Sequence, residues 1–170
     1  MILDILHYPD SKLQLIATPV IAFDEELKLL ITNMAYTMYN YNGIGLAATQ
    51  INVQKRLFII DTFYNKFDEN DDIYSDKFQL SAFINPEIIT KSEQIDSKEG
   101  CLSVPDIYET VIRFNKITIK YQDIDGNYHE DELTGIMAIC YQHELDHLNG
   151  KVFIEYLSRL KQSFIRKKLK

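Results

Sequence analysis

Apolar residues recur at helical spacing in the segment from Asp24 to Gly43. Leucine, isoleucine, methionine and alanine occupy every third or fourth position there, at Leu27, Leu30, Ile31, Met34, Ala35 and Met38. This spacing places all of them on one face of a helix. Asp24 can cap the first turn, and Gly43 lies near the expected end. We therefore predict a helix that begins at Asp24.

The middle of the chain has the shorter repeat that is typical of β-strands. Residues 56–61 and 82–89 are apolar runs rich in β-branched side chains, and Ile117, Ile119 and Tyr121 alternate with polar residues. The Asp-Gly pair at 125–126 indicates a hairpin turn. Residues 62–81, between the first two runs, are polar and acidic, so we predict an exposed loop or a long hairpin arm.

Helical spacing returns at residue 135. The segment from Gly135 predicts a helix that ends at Gly150, a residue suited to a left-handed cap. Residues 151–157 are expected to be extended, and Ser158 can cap a final amphipathic helix. Strands in the middle and helices near both ends favour an α+β fold over an alternating α/β fold.

Length and composition favour one soluble globular domain over residues 1–170, with residues 156–170 forming its basic C-terminal helix. No run approaches the roughly 18 apolar residues of a membrane span, so we expect no membrane partner. The N-terminus has an acid at Asp4 and neither a basic leader nor a cleavage site. We predict a cytoplasmic protein, or a protein of an organelle matrix whose leader has been removed.

Charge is unevenly distributed along the chain. The total is −7, but the chain from Tyr156 onward has six cations and no acid, so the preceding residues carry −13. One interpretation, which we favour, is a solvated helix end whose cations complement the helix dipole. The other is docking onto a polyanion such as RNA. Specific DNA binding is not expected.

The pattern His143-Glu144-Leu145-Asp146-His147 predicts a metal-binding helix. Residues four apart share a helix face, so His143 and His147 can bind one ion. Glu144 lies about 100° around the helix and can act as general base on a metal-bound water. The alternative is a core helix with two incidental histidines, which would leave buried polar groups to satisfy.

The third ligand does not follow from this helix. Metzincin proteases use HExxHxxGxxH, and the sequence matches it as far as Gly150 but has Phe153 at the last position. Glu155 is the only downstream acid. Cys101, in the constrained stretch "KEGCLSVP", is the better candidate, since one thiolate, two imidazoles and a water form a catalytic metal set. Cys140 lies on the apolar helix stripe and fits a buried hydrophobe instead.

The stretch "GIGLAATQ" at residues 43–50 is a third candidate for function. Gly43 and Gly45 can let the backbone approach an extended ligand, and the Gln50 amide can donate to a developing oxyanion. The alternative is a helix end followed by small residues that pack closely.

These three stretches, "GIGLAATQ", "EGCLS" and "QHELDH", resemble in their order the three signature motifs of peptide deformylases. The resemblance extends over most of the chain, and it is to the bacterial type. It implies antiparallel β-sheets packed around a central HExxH helix. It also implies metal-dependent removal of the N-formyl group from formylmethionine of nascent bacterial or organellar proteins, with release of formate.

The resemblance implies a role for each site residue. Cys101, His143 and His147 would bind the metal, and Glu144 would be the general base and later the proton donor to the leaving amine. Gln50 and the backbone N–H of Leu102 would hold the formyl oxygen. Family members typically use Fe²⁺, and Zn²⁺, Ni²⁺ or Co²⁺ can occupy the site. The donor set is compatible with all four metals.

The expected substrate is an N-formylmethionyl peptide. An apolar slot would receive its methionine side chain, lined by Ile44, Gly45, Leu102, Ile136, Ile139 and Cys140. The peptide would lie extended along Gly43 to Gly45 and be bound by main-chain hydrogen bonds, as in strand addition. The ribosome would be a partner if the basic C-terminal helix docks there.

The sequence also departs from the family in two places. Many bacterial members have a basic substrate-clamping residue where this chain has Tyr108, and the loop 62–81 is longer and more acidic than usual. The loop can shield the site, contact a partner or have no role, and we favour no role. Near the site, Arg113 and Asp146 are expected to pair and brace the helix beside His147, or to form a plain surface pair.

Two other functions remain as alternatives. One is a metallopeptidase that cuts internal peptide bonds, which lacks its downstream ligand here. The other is a non-enzymatic protein with a closed, structural metal site.

Overall fold

The computed structural model of the chain describes residues 1–68 and 70–170. Within them, the helices are α1 (Glu25–Asn40), α2 (Gly135–Leu148) and α3 (Arg159–Lys168). The strands are β1 (Gly45–Ala47), β2 (Leu57–Ile60), β3 (Ser81–Cys101), β4 (Val104–Gln122) and β5 (Tyr128–Thr134). They form one antiparallel sheet in the order β1-β2-β3-β4-β5. The α+β prediction is confirmed.

Helix α1 is capped and buried as its sequence predicts. The Asp24 side chain accepts a hydrogen bond from the N–H of Leu27 at 3.0 Å, and Leu27, Met34 and Met38 are fully buried. The helix ends at Asn40. The Gly43 N–H then bonds to the Met38 carbonyl at 2.9 Å, so α1 fixes where β1 begins.

Strands β3 and β4 form a long hairpin that extends well beyond the two short runs predicted from sequence. Their pairing runs from Ile84 opposite Gln122 to Cys101 opposite Val104, with irregular register between Glu99 and Cys101. At one edge of the sheet lies β1, which pairs with β2 alone among the described strands. Gly126, with φ of 86°, lies in the predicted turn between β4 and β5.

Helix α2 is the central helix, and it packs against the sheet. Its Tyr141 is fully buried against Phe58 of β2 and Phe83 of β3, with ring centroids 5.0 and 5.1 Å apart. Gly150 ends this segment at a φ of 73°, and a Cβ atom there would overlap the backbone of Gln14. Both the backbone conformation and the close contact require glycine at this position.

The prediction of extended chain at 151–157 is wrong over part of its length. Phe153–Tyr156 form a short 3-10 helix, and Phe153 and Ile154 are both buried. A strand would point these neighbours to opposite faces, so burial of both favours the helical turn. Ser158 caps α3 as predicted. Among the residues described, no helix has both the length and the apolarity needed to cross a membrane.

Candidate active site

Cys101, His143 and His147 come together where the end of β3 meets helix α2. Their potential ligand atoms all lie within 4.8 Å of one another, and Cys101 Sγ is 3.2 Å from His147 Nε2. Ligands in a tetrahedral zinc-type site are separated by about 3.5 Å, given metal–ligand bonds of about 2.0 to 2.3 Å. The cluster therefore has the chemistry and the spacing of a three-ligand site.

The groups around the two histidines also favour a positive charge at this cluster. Burial, together with the charge of His143, lowers the pKa of His147, which keeps its imidazole neutral. Burial opposes a charge on His143 as well, but hydrogen bonds with Cys101 and Glu99 outweigh it and raise the pKa of His143. This position thus favours a positive charge, which a divalent ion supplies. The residues fit a bound metal.

Glu99 orients the His143 ring through a hydrogen bond at Nδ1. Its Oε1 lies 2.8 Å from His143 Nδ1, so Nε2 is the ring nitrogen left to face Cys101. Arg113 donates two hydrogen bonds to the same carboxylate, at 2.8 and 2.9 Å. Burial would raise the pKa of Glu99, but the bonds from Arg113 and His143 lower it to about 2. Glu99 is therefore a buried anion.

Arg113 also connects Glu99 to Asp146 of α2. Its Nη1 donates to Asp146 Oδ2 at 2.6 Å, and Tyr156 Oη donates to the same carboxylate at 3.0 Å. Arg113 and Asp146 are thus paired, next to His147. The structure adds Glu99 and Tyr156 to this pair, so that a chain of hydrogen bonds connects β3, β4, α2 and the turn before α3.

Glu144 lies beside the cluster with one oxygen unpaired. The residue is 5% exposed, and its Oε2 has no hydrogen-bond partner among the residues described. Burial raises the pKa of Glu144 to about 7. A carboxylate of this kind can take up and release a proton near neutral pH. A Cβ atom at Gly45 would overlap Glu144 Oε1, so glycine lets β1 approach this carboxylate.

Gln50 and Leu102 both lie next to Cys101. The Gln50 side chain is buried, accepts from the Ala47 N–H at 2.8 Å and donates through Nε2 to Ser103 Oγ at 3.1 Å. The same Nε2 is 3.5 Å from Cys101 Sγ. Leu102 begins the turn between β3 and β4, and its side chain faces Gly43. Both residues border the cluster.

A cavity of about 670 Å³ opens above this cluster. Its lining includes every residue predicted for the substrate slot: Gly43, Ile44, Gly45, Leu102, Ile136, Ile139 and Cys140. Ile44 and Ile136 are partly exposed at its mouth. Burial raises the pKa of Cys140 to about 12, so its thiol is neutral and forms an apolar wall.

Comparison with known proteins identifies the family. The family model described as polypeptide deformylase matches residues 2–163. The chain belongs to this family. It is 48% identical to the peptide deformylase of Pseudomonas aeruginosa over 169 residues, which cover 99% of this chain and 94% of the relative. It is also similar to the crystal structure of a peptide deformylase from Legionella pneumophila, with 44% identity, a TM-score of 0.87 and coverage of 99% and 94%.

Membership of the deformylase family confirms the function predicted from the three motifs. Deformylases are metal-dependent hydrolases that remove the N-formyl group from nascent peptides, and this chain is such an enzyme. The cluster of Cys101, His143 and His147 is a possible metal-binding group. Because deformylases act on nascent peptides, the substrate is a peptide.

Three residues of this deformylase site were missed from sequence: Glu99, Ser103 and Tyr156. Glu99 precedes Cys101 by two, and strand alternation could have placed both side chains on one face. Ser103, which accepts from Gln50, carries no comparable signal. Tyr108, at the position of the expected basic residue, lines the cavity mouth and is 67% exposed. A Cβ atom at Gly100 would lie 2.6 Å from its ring, so the ring covers that glycine.

Proposed function

We propose that residues 1–170 form one catalytic domain that hydrolyses the formyl amide of N-formylmethionyl peptides with a metal held by Cys101, His143 and His147. The observation that carries this proposal is the buried carboxylate of Glu144 beside that cluster, whose Oε2 has no hydrogen-bond partner among the described residues and which lines the cavity. A structural metal site would have a fourth protein ligand and would not need a substrate cavity.

In this mechanism Glu144 moves the proton. A divalent metal bound at the site would supply an acidified water and polarise the formyl carbonyl. Glu144 accepts a proton at its carboxylate during attack and then donates it to the leaving amine nitrogen. Gln50 Nε2 and the Leu102 N–H donate to the formyl oxygen as negative charge develops there. Arg113 and Asp146 keep α2, and with it Glu144, in place.

The substrate is positioned by the cavity and by the edge of the sheet. The methionine side chain enters the slot formed by Ile136, Ile139 and Cys140, because a flexible thioether fits an apolar cavity. Among the described strands, β1 is paired with β2 alone. Its other side is available for the peptide main chain along Gly43–Gly45, which gives little preference for side chains beyond methionine.

Formate release from formyl-Met-Ala-Ser tests this function directly. We expect metal-dependent release by the wild-type protein, and no release at any metal loading would reject the proposal. Cleavage of casein without deformylation would favour a metallopeptidase. A fourth protein ligand on the ion, found by spectroscopy of the metal-loaded protein, would favour the structural site.

We further propose Fe²⁺ as the metal in the cell, with Zn²⁺, Ni²⁺ or Co²⁺ able to replace it. One thiolate and two imidazoles can bind all four. Fe²⁺ next to a thiolate is sensitive to oxidation, so the protein should be purified without oxygen before its metal content is measured. Zinc as the dominant metal under those conditions would contradict the assignment. The proposed location is a bacterial cytoplasm or an organelle matrix.

Docking onto the ribosome through α3 is the second part of the proposal. Helix α3 is anchored to the domain by buried Ile165 and by a bond from Arg166 Nε to Tyr8 Oη at 2.6 Å. A cavity of about 460 Å³ between it and the N-terminal segment is lined by Arg166, Lys167 and Lys170. These cations suit the phosphates of ribosomal RNA.

Charge reversal tests docking better than truncation would, because removing α3 would also remove buried Ile165. The test variant replaces three exposed lysines at the end of α3 and just after it by glutamate: Lys167, Lys168 and Lys170. The control makes the same change of net charge elsewhere on the surface, at Lys55, Lys91 and Lys120. We expect weaker cosedimentation with ribosomes for the first variant only, with unchanged activity on formyl-Met-Ala-Ser. Equal ribosome affinity of the two would reject docking through α3.

A further inference from the structure

The acidic loop 62–81 is attached to the core by aromatic side chains. Tyr64, Phe67 and Phe78 surround Tyr39 near the end of α1, with ring centroids 4.7, 5.5 and 4.7 Å from it. Tyr39 is fully buried. Aromatic contacts of this kind hold a segment in one arrangement. The described part of the loop is thus packed against the core through these aromatic side chains.

A buried carboxylate joins the two ends of this loop. Asp61 is fully buried and accepts from Tyr39 Oη at 2.8 Å. It also accepts from the backbone N–H groups of Tyr64 at 3.3 Å and Gln79 at 2.8 Å. The Asp61 N–H donates to the Ile44 carbonyl at 2.9 Å. Asp61 therefore connects the loop with the cavity wall at β1.

Tyr64 makes a second connection to the same wall. Its hydroxyl donates to the Gly43 carbonyl at 2.7 Å. Together with the bond from the Asp61 N–H to Ile44, this fixes two consecutive peptide groups at the start of β1. Burial raises the pKa of Tyr64, so its hydroxyl remains protonated and able to donate.

We propose that Tyr64 is a positioning residue for the peptide substrate: it holds the Gly43–Gly45 edge in the conformation to which the peptide main chain adds. The inference rests on the proposed binding of the peptide along this edge. Two of the three residues there are glycines, which lose the most conformational freedom when they become ordered. A hydrogen bond that orders them beforehand lowers the cost of binding. The loop then has a role, in contrast to the interpretation favoured from sequence.

The substitution Tyr64→Phe removes the hydroxyl and keeps the ring that packs on Tyr39. Tyr74→Phe is the matched control, since Tyr74 belongs to the same loop and its hydroxyl bonds to Thr32 Oγ1 at 2.6 Å. We expect Tyr64→Phe to raise KM for formyl-Met-Ala-Ser by about three- to tenfold, the range of one neutral hydrogen bond, with kcat within about twofold. The control should match wild type.

Peptide length separates positioning from a general loss of stability. The rise in KM should be smaller for formylmethionine alone, which has no peptide to lie along the edge, whereas partial unfolding would affect both substrates equally. Amide hydrogen exchange gives a readout without turnover: residues 43–47 should exchange faster in Tyr64→Phe than in Tyr74→Phe.

Three outcomes would overturn the inference: equal KM for the two variants, equal exchange at residues 43–47, or a fall in kcat with KM unchanged. Formate release by the wild-type protein in the same assay tests the proposed function separately. If wild type is active and the two variants do not differ, only the role of Tyr64 is rejected.

Discussion

The two walls of the cavity are built by different means. The wall formed by α2 and the end of β3 presents charged and polar side chains next to the apolar slot of Ile136, Ile139 and Cys140. A buried ion pair between Arg113 and Glu99 holds the polar groups in place. The wall formed by β1 presents mainly backbone, with glycines at 43 and 45, and is held by hydrogen bonds from Asp61 and Tyr64. We infer that the first wall performs the chemistry and receives the methionine side chain, whereas the second binds the peptide main chain. Substitutions should separate these roles.

Loss of Glu144 should give the largest effect. In Glu144→Gln the side chain keeps its size but cannot take a proton, so kcat should fall by about 10²- to 10⁴-fold. Metal content should be unchanged, because the three proposed ligands remain. Formate release and metal analysis on the same sample check both. Activity close to wild type would remove Glu144 from the role of general base.

The ion pair behind the chemical wall should matter mainly for stability. In Arg113→Met the buried carboxylate of Glu99 loses its cation, and unfolding free energy should fall by about 3 to 5 kcal/mol. The matched control is Lys161→Met, which breaks a more exposed pair with Glu109 at 2.7 Å. That change should cost less than about 1 kcal/mol. Urea unfolding measures both, and equal losses would show that the buried pair has no special importance.

The sequence predicts more of the chemical wall, formed by α2 and the end of β3, than of the recognition wall, formed by residues 43–47. Spacing by four on one helix brings His143 and His147 together, so their proximity follows from local geometry. The pair of Glu99 with Arg113 joins two strands, and its detection requires the register of the β3–β4 hairpin. The Tyr64 bond to Gly43 depends on the path of an irregular loop, which no periodic pattern specifies.

Prediction of the fold is limited in the same way, because local sequence does not specify long-range contacts. The capped helix α1 and the turn at Gly126 follow from local residue preferences, and both were placed well. The 3-10 helix at Phe153–Tyr156 was missed because it depends on burial of both Phe153 and Ile154 in the core. Long-range packing, which the local sequence does not contain, decided that element.

Two glycine substitutions test where the walls meet. Gly45→Ala places a Cβ atom against Glu144 Oε1, so it should displace the proposed general base. We expect kcat to fall by roughly tenfold or more, an effect of about 1.4 kcal/mol per factor of ten. Gly43→Ala is the control, since its Cβ would contact the flexible end of Leu102 at 2.7 Å. That change should affect KM more than kcat. If both variants lower kcat equally, the two walls are not separate in function.

The pH dependence gives the effect that is most specific to Glu144. A general base must be unprotonated, and the pKa of Glu144 is raised to about 7 by burial. Hence kcat/KM should rise about tenfold per pH unit on the acid side and become constant above the pKa. A bound cation lowers this pKa, so the acid limb of the metal-loaded enzyme should lie at or below pH 7.

The stability of the fold should depend on pH over a different range, so loss of activity and loss of stability can be distinguished. The pKa of Glu99 is about 2 in the folded protein, below its usual value of 4.5, so its stabilisation is fully present above about pH 4.5 and is lost as pH falls towards 2. As the pH is lowered from 7 to 4.5, activity should therefore fall while this contribution of Glu99 to the free energy of unfolding stays constant. Metal content measured at each pH controls for release of the ion by protonation of its ligands. A loss of activity that coincides with unfolding would show that the acid limb reports the stability of the fold and not the protonation of Glu144.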